Sequence, residues 1–381
     1  MVKEKINIKQ TAFLCFAMFF ASKFLILPSL FFKENEYGGI LCIAMILVVE
    51  LFILYLLIKI KERYVNLSFY EIFSLFLPKF LIKFIYFLLF IFFVCKFLFT
   101  ISEGFSFLKI SLFEETTLLI FFVCVVPVIN ALAYKGLQAF ARSLEIFFLL
   151  IVAGLFLSTT IWISSLSNFG LNIFQNNGFE GFLAGLYNYS FWFGDFIFLF
   201  VIIDKITIEN NFGRKLMNYG ILACIIYIVF VLSFYYIFQS ASFFHTSAIY
   251  EVTQFSTRIG NVGKLDFIPI GTVMFLFFYN SAMFLYCSKD CLKRIITAVS
   301  DEQSLIFINI FCFILFYLHF QNLENMVAFA TVYLRHFSAF IGYLIPFILL
   351  LFYLFGRGKA KIKSPYSKKI VKNHMKYCEN K

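Results

Sequence analysis

Long apolar runs fill this chain, and its 32 Lys and Arg residues crowd into every second gap between those runs. Short loops rich in Lys and Arg stay on the cytoplasmic side of a membrane. The alternation therefore constrains the number of crossings and their direction before any residue is given a role. Apolar runs of roughly 18 or more residues are long enough to cross a hydrocarbon core about 30 Å thick. They predict helices at about 8–32, 38–60, 80–102, 117–134, 136–162, 181–203, 218–241, 267–288, 303–320 and 337–355.

On that division, 25 basic residues fall in one set of gaps and at the two chain ends. They run from Lys3, Lys5 and Lys9 through clusters at 59–83, 135–142, 205–215 and 289–294 to nine in 356–381. The other set holds Lys33, Lys109, Arg258, Lys264 and Arg335, together with Glu34, Glu36, Glu114, Glu115, Glu180, Glu251 and Glu324. A span missed or invented early in the chain would abolish this asymmetry. The expectation is an all-α polytopic membrane protein of about ten transmembrane helices with both termini cytoplasmic. Residues 1–355 form a single transporter-like membrane domain and 356–381 a basic cytoplasmic tail lying on anionic headgroups.

The composition agrees, with 62% hydrophobic and 14% charged residues. A soluble domain is about half apolar and about a quarter charged. The net charge of +11 is accounted for by orientation signals and implies no nucleic acid. The 60 Phe residues read as filling of lipid-facing positions rather than as ligand chemistry. Eight of the nine cysteines lie within apolar runs, without CxxC or His/Cys spacing, so neither a disulfide framework nor a zinc site is expected. The polar lead before residue 11 meets a full-length apolar run, which reads as a retained first span rather than a signal peptide. No phosphate loop, nucleophile elbow or paired-acid motif supports catalysis, no cofactor is implied, and the chain is not expected to be an enzyme.

Ten helices divide into two halves of five, and an odd number per half makes the second enter the bilayer from the opposite side. Such inverted repeats place a ligand site near the midplane, between broken helices. Ionisable groups at that depth cost at least about 2.5–3.5 kcal/mol on insertion scales, so each needs a partner or a wet cavity. The deep set is Lys23 in the first span, Glu50 in the second, Lys96 in the third and Asp195 in the sixth. Glu50 and Lys96 are expected as intramembrane charge partners, although Lys96 is also placed to snorkel towards the outer surface. The first span carries Ala21-Ser22-Lys23 and then Pro28, which cannot donate a backbone hydrogen bond. The sixth carries Tyr189-Ser190 and Gly194-Asp195. Both are places where a helix can break and offer free N–H and C=O groups to a ligand; continuous helices with a Pro kink and a packing Gly are the alternative. The candidate ligand-binding residues are Ala21, Ser22, Lys23, Tyr189, Ser190, Gly194, Asp195 and Asn280. For Asn280 a helix–helix hydrogen bond is the competing reading, and Arg142 and Glu145 are spaced as a structural ion pair.

Several stretches resemble a known family in order along the chain. Ile8-Lys9-Gln10 through Leu27-Pro28-Ser29 resembles the opening span of the spore germination B-subunit family, which ends in Leu-Pro. Tyr134-Lys135-Gly136 through Ala141-Arg142 resembles its Tyr-x-Gly-x-x-x-x-Ala-Arg segment. Arg258-Ile259-Gly260 followed by Gly263-Lys264-Leu265-Asp266 resembles its outer-loop segment, and Gly194-Asp195 its Gly–acid pair. The resemblance implies a LeuT-type 5+5 inverted-repeat bundle of the amino acid–polyamine–organocation superfamily. It also implies a role as the B subunit of a nutrient germinant receptor in the spore inner membrane. Such a subunit would bind a small nutrient such as an amino acid and work with A- and C-type subunits. Where the family has Gly-rich sequence at the first break, this chain has Ala21-Ser22-Lys23. The competing functions are an amino acid permease, proton-coupled through Asp195 or Glu50, and a structural membrane partner with a filled, dry centre.

Overall fold

The computed structural model describes residues 5–64, 67–74, 76–111, 117–164, 178–208, 211–259, 267–296, 298–319 and 323–355. Among the described residues, seven helices are long and apolar enough to cross a bilayer: Gly39–Arg63, Lys79–Ser111, Leu137–Thr160, Phe212–Phe244, Phe267–Ile295, Asp301–Leu318 and Glu324–Ile348. Ile8–Phe20 and Leu119–Tyr134 are shorter apolar helices. Every predicted crossing coincides with helix. The first is made of pieces, Ile8–Phe20, Ala21–Phe24 and Leu27–Asn35. The sixth is too, built from Gly178–Asn188, Ser190–Trp192, Asp195–Ile197 and Phe198–Ile202. The chain is an all-α polytopic membrane protein, and its first and sixth predicted crossings are both broken into short helical pieces. The basic tail at 356–381 and the loop motif at 260–266 lie outside the described residues.

Hydrogen bonds and ion pairs between loops test the threading. At one end Ile6 N–H donates to Lys205 O at 2.9 Å and Thr207 N–H to Ile6 O at 3.0 Å, an isolated parallel bridge between the N-terminal lead and the gap after the sixth span. Beside it Lys205 pairs with Asp290 at 3.0 Å, Arg294 with Asp204 at 3.5 Å and Lys9 with Glu145 at 3.1 Å. All these residues come from the Lys- and Arg-rich gaps and the helix ends beside them. At the other end Ala248 N–H donates to Leu25 O at 3.1 Å, and Asn188 bridges Glu34 at 3.0 Å and Arg335 at 2.5 Å. An odd number of missed spans would have mixed the two sets.

Three details differ from expectation. The third helix continues to Ser111, well past residue 102, because Ser102, Glu103 and Gly104 face the protein rather than lipid. Gly104 permits this: a Cβ there would stand 2.0 Å from the Phe277 ring of the eighth span. The tenth helix begins at Leu323, not at 337, so Arg335 lies within it rather than in an outer loop. Two π-helical turns, Ala330–Leu334 and Phe340–Leu344, interrupt its regular winding. Finally, Glu145 takes Lys9 and the Gln10 amide as partners, the latter at 3.1 Å, instead of Arg142.

The threading predicts that single cysteines at positions 205 and 294 of a cysteine-free variant react with an impermeant maleimide only from the cytoplasmic side. Cysteines at 34 and 246 should react only from the other. Residues 205 and 246 labelling from the same face would refute the topology.

Candidate functional site

The sixth span breaks because Gly194 takes a left-handed conformation (φ 81°, ψ 18°), after Phe193 in extended geometry. Glycine adopts positive φ without the steric cost that a Cβ brings. The break frees the N–H of Gly194 and the C=O of Phe193 among buried side chains in the middle of the bundle. In hydrocarbon each backbone polar group needs a protein partner. Glu50 from the second span accepts the Gly194 N–H through Oε1. Lys96 from the third span donates to Phe193 O at 2.8 Å.

The first span breaks over Ala21–Phe24 and resumes at Leu27–Asn35, with Pro28 in its first turn, where a missing N–H is harmless. Lys23 turns its ammonium back to donate to Phe19 O at 2.9 Å. On the outer side of the break, Leu25 O takes the Ala248 N–H and Pro28 O takes the Tyr235 hydroxyl at 2.8 Å.

Asp195 joins the two breaks. Its Oδ2 pairs with Lys23, and its Oδ1 pairs with Lys96 at 2.9 Å. Lys23 and Glu50 are fully buried, and Lys96 and Asp195 are nearly so. Aromatic rings wall the cluster, with the Lys23 ammonium 4.4 Å from the Phe19 ring centroid and Lys96 5.1 Å from that of Phe191. Two ammoniums and two carboxylates, drawn from four spans, thus meet with opposite charges adjacent. Lys96 is engaged in the core and does not snorkel.

Of the expected ligand-binding residues, the structure brings Lys23, Gly194 and Asp195 together, with Glu50 and Lys96 around them. Asn280 stands apart: its amide donates to Ala17 O at 2.8 Å and to Leu276 O at 3.0 Å, fastening the eighth span to the first. Ser190 faces the tenth span, 3.2 Å from Arg335 O and 3.3 Å from the Ser338 hydroxyl. Tyr189 stacks edge-on against Phe31 in the outer half. Ala21 and Ser22 lie on the first break, and their side chains are outside the described residues. Glu103 and Trp192 were not anticipated; the Trp192 indole N–H donates to Glu103 at 3.2 Å. The signal was in the spacing, since Lys96, Thr100 and Glu103 are four and three residues apart on one helical face.

Against this geometry, the comparison with known families is decisive. A family model described as spore germination protein matches residues 5–326. The chain belongs to the spore germination protein family. No curated protein matches it. Within this permease-like family, the buried cluster lies inside the matched region, and all four of its charges are contributed by crossings that the match covers.

The pairing pattern ranks substitutions. Asp195→Asn leaves two buried ammoniums without their shared carboxylate, and breaking a buried pair costs about 3–5 kcal/mol. Lys23→Met leaves Asp195 still paired with Lys96 and is expected to cost less. Thermal unfolding of the purified variants in detergent checks the order; a midpoint for Lys23→Met at or below that of Asp195→Asn would contradict it.

Proposed function

We propose that this chain is the nutrient-sensing B-type subunit of a germinant receptor in the spore inner membrane, acting with A- and C-type subunits. Its ligand is a small amino acid held between the two breaks. The observation that carries the reading is that the chain's own charged side chains hold the backbone groups freed at each break. Lys23 and Lys96 stand on the carbonyls of Phe19 and Phe193, and Glu50 stands on the N–H of Gly194. An α-amino acid carries the same ammonium and carboxylate on one small molecule. It is therefore a chemical competitor for these positions, and binding would exchange internal ion pairs for ligand contacts. A ligand shifts a conformational equilibrium only by its differential affinity for the two states. An exchange that loosens the Lys23–Asp195 pair supplies such a difference.

A proton-coupled amino acid permease is the second reading. It draws support from Glu50, whose Oε2 is buried without a hydrogen-bond partner among the described residues and so is placed to carry a proton.

Germination dose–response in spores carrying matched amounts of each variant separates these readings. Lys23→Ala removes the internal competitor for the ligand ammonium, so the half-maximal nutrient concentration should fall about tenfold as the competent fraction rises. Asp195→Asn should raise it by at least as much. Wild-type curves for both variants would remove the cluster from the ligand site and favour a structural subunit. Nutrient uptake into vesicles containing this chain alone would favour the permease.

A further inference from the structure

A second site lies on the outer side of the cluster and plays no part in the exchange just described. Glu103 is 2% exposed, and its Oε1 is held by the Trp192 indole N–H. Its Oε2 is buried with no hydrogen-bond partner among the described residues. The hydroxyl of Ser247, 1% exposed, is in the same condition. Both residues line one half-open crevice of about 10 Å³, whose walls include Leu25 and Ile26 at the first break and whose outer rim carries Ser106 and Thr246. That volume is about what a single water-sized sphere needs.

Charge counting gives this crevice an occupant. The buried ionisable groups between the two breaks and the crevice are Lys23, Lys96, Glu50, Asp195 and Glu103. Two are cationic and three acidic, so full ionisation leaves one negative charge in surplus. Glu103 lies seven residues from Lys96 on the same helix, about 10 Å along the axis, and the two lysines are already engaged with Asp195. An ionised carboxylate in a low-dielectric interior is costly without a counter-charge. A proton on Glu103 with one water in the crevice would also balance it, and that occupant would not respond to Na⁺ or K⁺. Hard cations take oxygen ligands, and the crevice offers a carboxylate oxygen and a buried hydroxyl with two further hydroxyls at its rim.

We propose that Glu103 and Ser247 form a site for a small monovalent cation, Na⁺ or K⁺, reached from the outer face and seated against the first break. The site touches both interrupted spans, the sixth through Trp192 and the first through Leu25 and Ile26. Its occupancy is therefore felt by the same segments that carry the charge cluster. The inference goes beyond the nutrient reading and survives its failure, because the experiment needs no nutrient.

The chain has two tryptophans, so Trp162→Phe leaves Trp192, bonded to Glu103, as sole reporter. With the full chain in lipid nanodiscs at constant ionic strength and pH, N-methylglucamine chloride is replaced stepwise by NaCl or KCl. A saturable change in Trp192 emission is expected with at least one of the two, and comparison of the two titrations identifies the cation. Glu103→Gln should abolish the change. Ser247→Ala, which keeps every charge, should weaken the apparent affinity about tenfold or more. The proposal is overturned by emission that stays flat with both cations or by a response unaltered in both variants.

Discussion

One carboxylate, Asp195, carries the architecture of this protein's centre. It lies directly after the residue whose positive φ breaks the sixth span, and it receives one ammonium from the first span and another from the third. A broken helix within a membrane bundle is sustainable only when its freed N–H and C=O groups find partners. Neutral side chains could supply those hydrogen bonds, but here charged ones do, and each charge then needs its own opposite. Asp195 answers that need for Lys23 and Lys96 together, which leaves both free to hold the carbonyls of Phe19 and Phe193. Glu50 completes the arrangement on the N–H side. The breaks and the ion pairs are thus mutually required: unwinding creates the sites that the charges hold, and the charges make unwinding tolerable.

The same two spans are fastened at both membrane faces. On the inner side the residues flanking them, Ile6 and Lys205, are joined through backbone bonds, and Lys205 is tied to Asp290 of the eighth span. On the outer side Leu25 meets Ala248, while Asn188 joins Glu34 to Arg335. The four charges between them are buried, so moving the two spans apart around the cluster means parting one set of ties. Which set yields first is a matter of their strength. The outer ties bring Leu25 and Ile26 against the Glu103 crevice, whereas the inner ones combine backbone bonds with the ion pairs Lys205–Asp290, Arg294–Asp204 and Lys9–Glu145.

Much of this was legible before any coordinates. The alternation of Lys and Arg between gaps is a one-dimensional signal, so the threading followed from it directly, and the contacts at the two ends agree with it. Lys23, Glu50, Lys96 and Asp195 stood out because a charge within an apolar run is costly and demands an explanation. Their pairing was not legible: which ammonium meets which carboxylate depends on how four helices converge, and no local pattern encodes that. Glu103 escaped notice because hydropathy weakens at Ser102-Glu103-Gly104, so the third span was ended one residue short of it. The same weakness hid Arg335, since the polar start of the tenth helix reads as loop. In the third span the helix continues because its polar face is turned to protein, which a window average cannot distinguish from a loop. Asn280 illustrates the converse error, a polar residue at membrane depth whose amide is consumed in joining helices.

The sharing of Asp195 also bears on how the centre can move. Were each lysine paired with its own carboxylate, separating the first span from the sixth would strand two full charges at once. With a common acceptor, withdrawal of Lys23 leaves Asp195 neutralised by Lys96 across the third span. Lys23 itself keeps the Phe19 carbonyl, a contact within its own span. The parting therefore exposes one ammonium rather than an ion pair, and on the reading proposed above it is the ligand's own ammonium that takes the vacated side of Asp195. A cluster built this way opens at the cost of a single exchange and does not require the core to be dismantled.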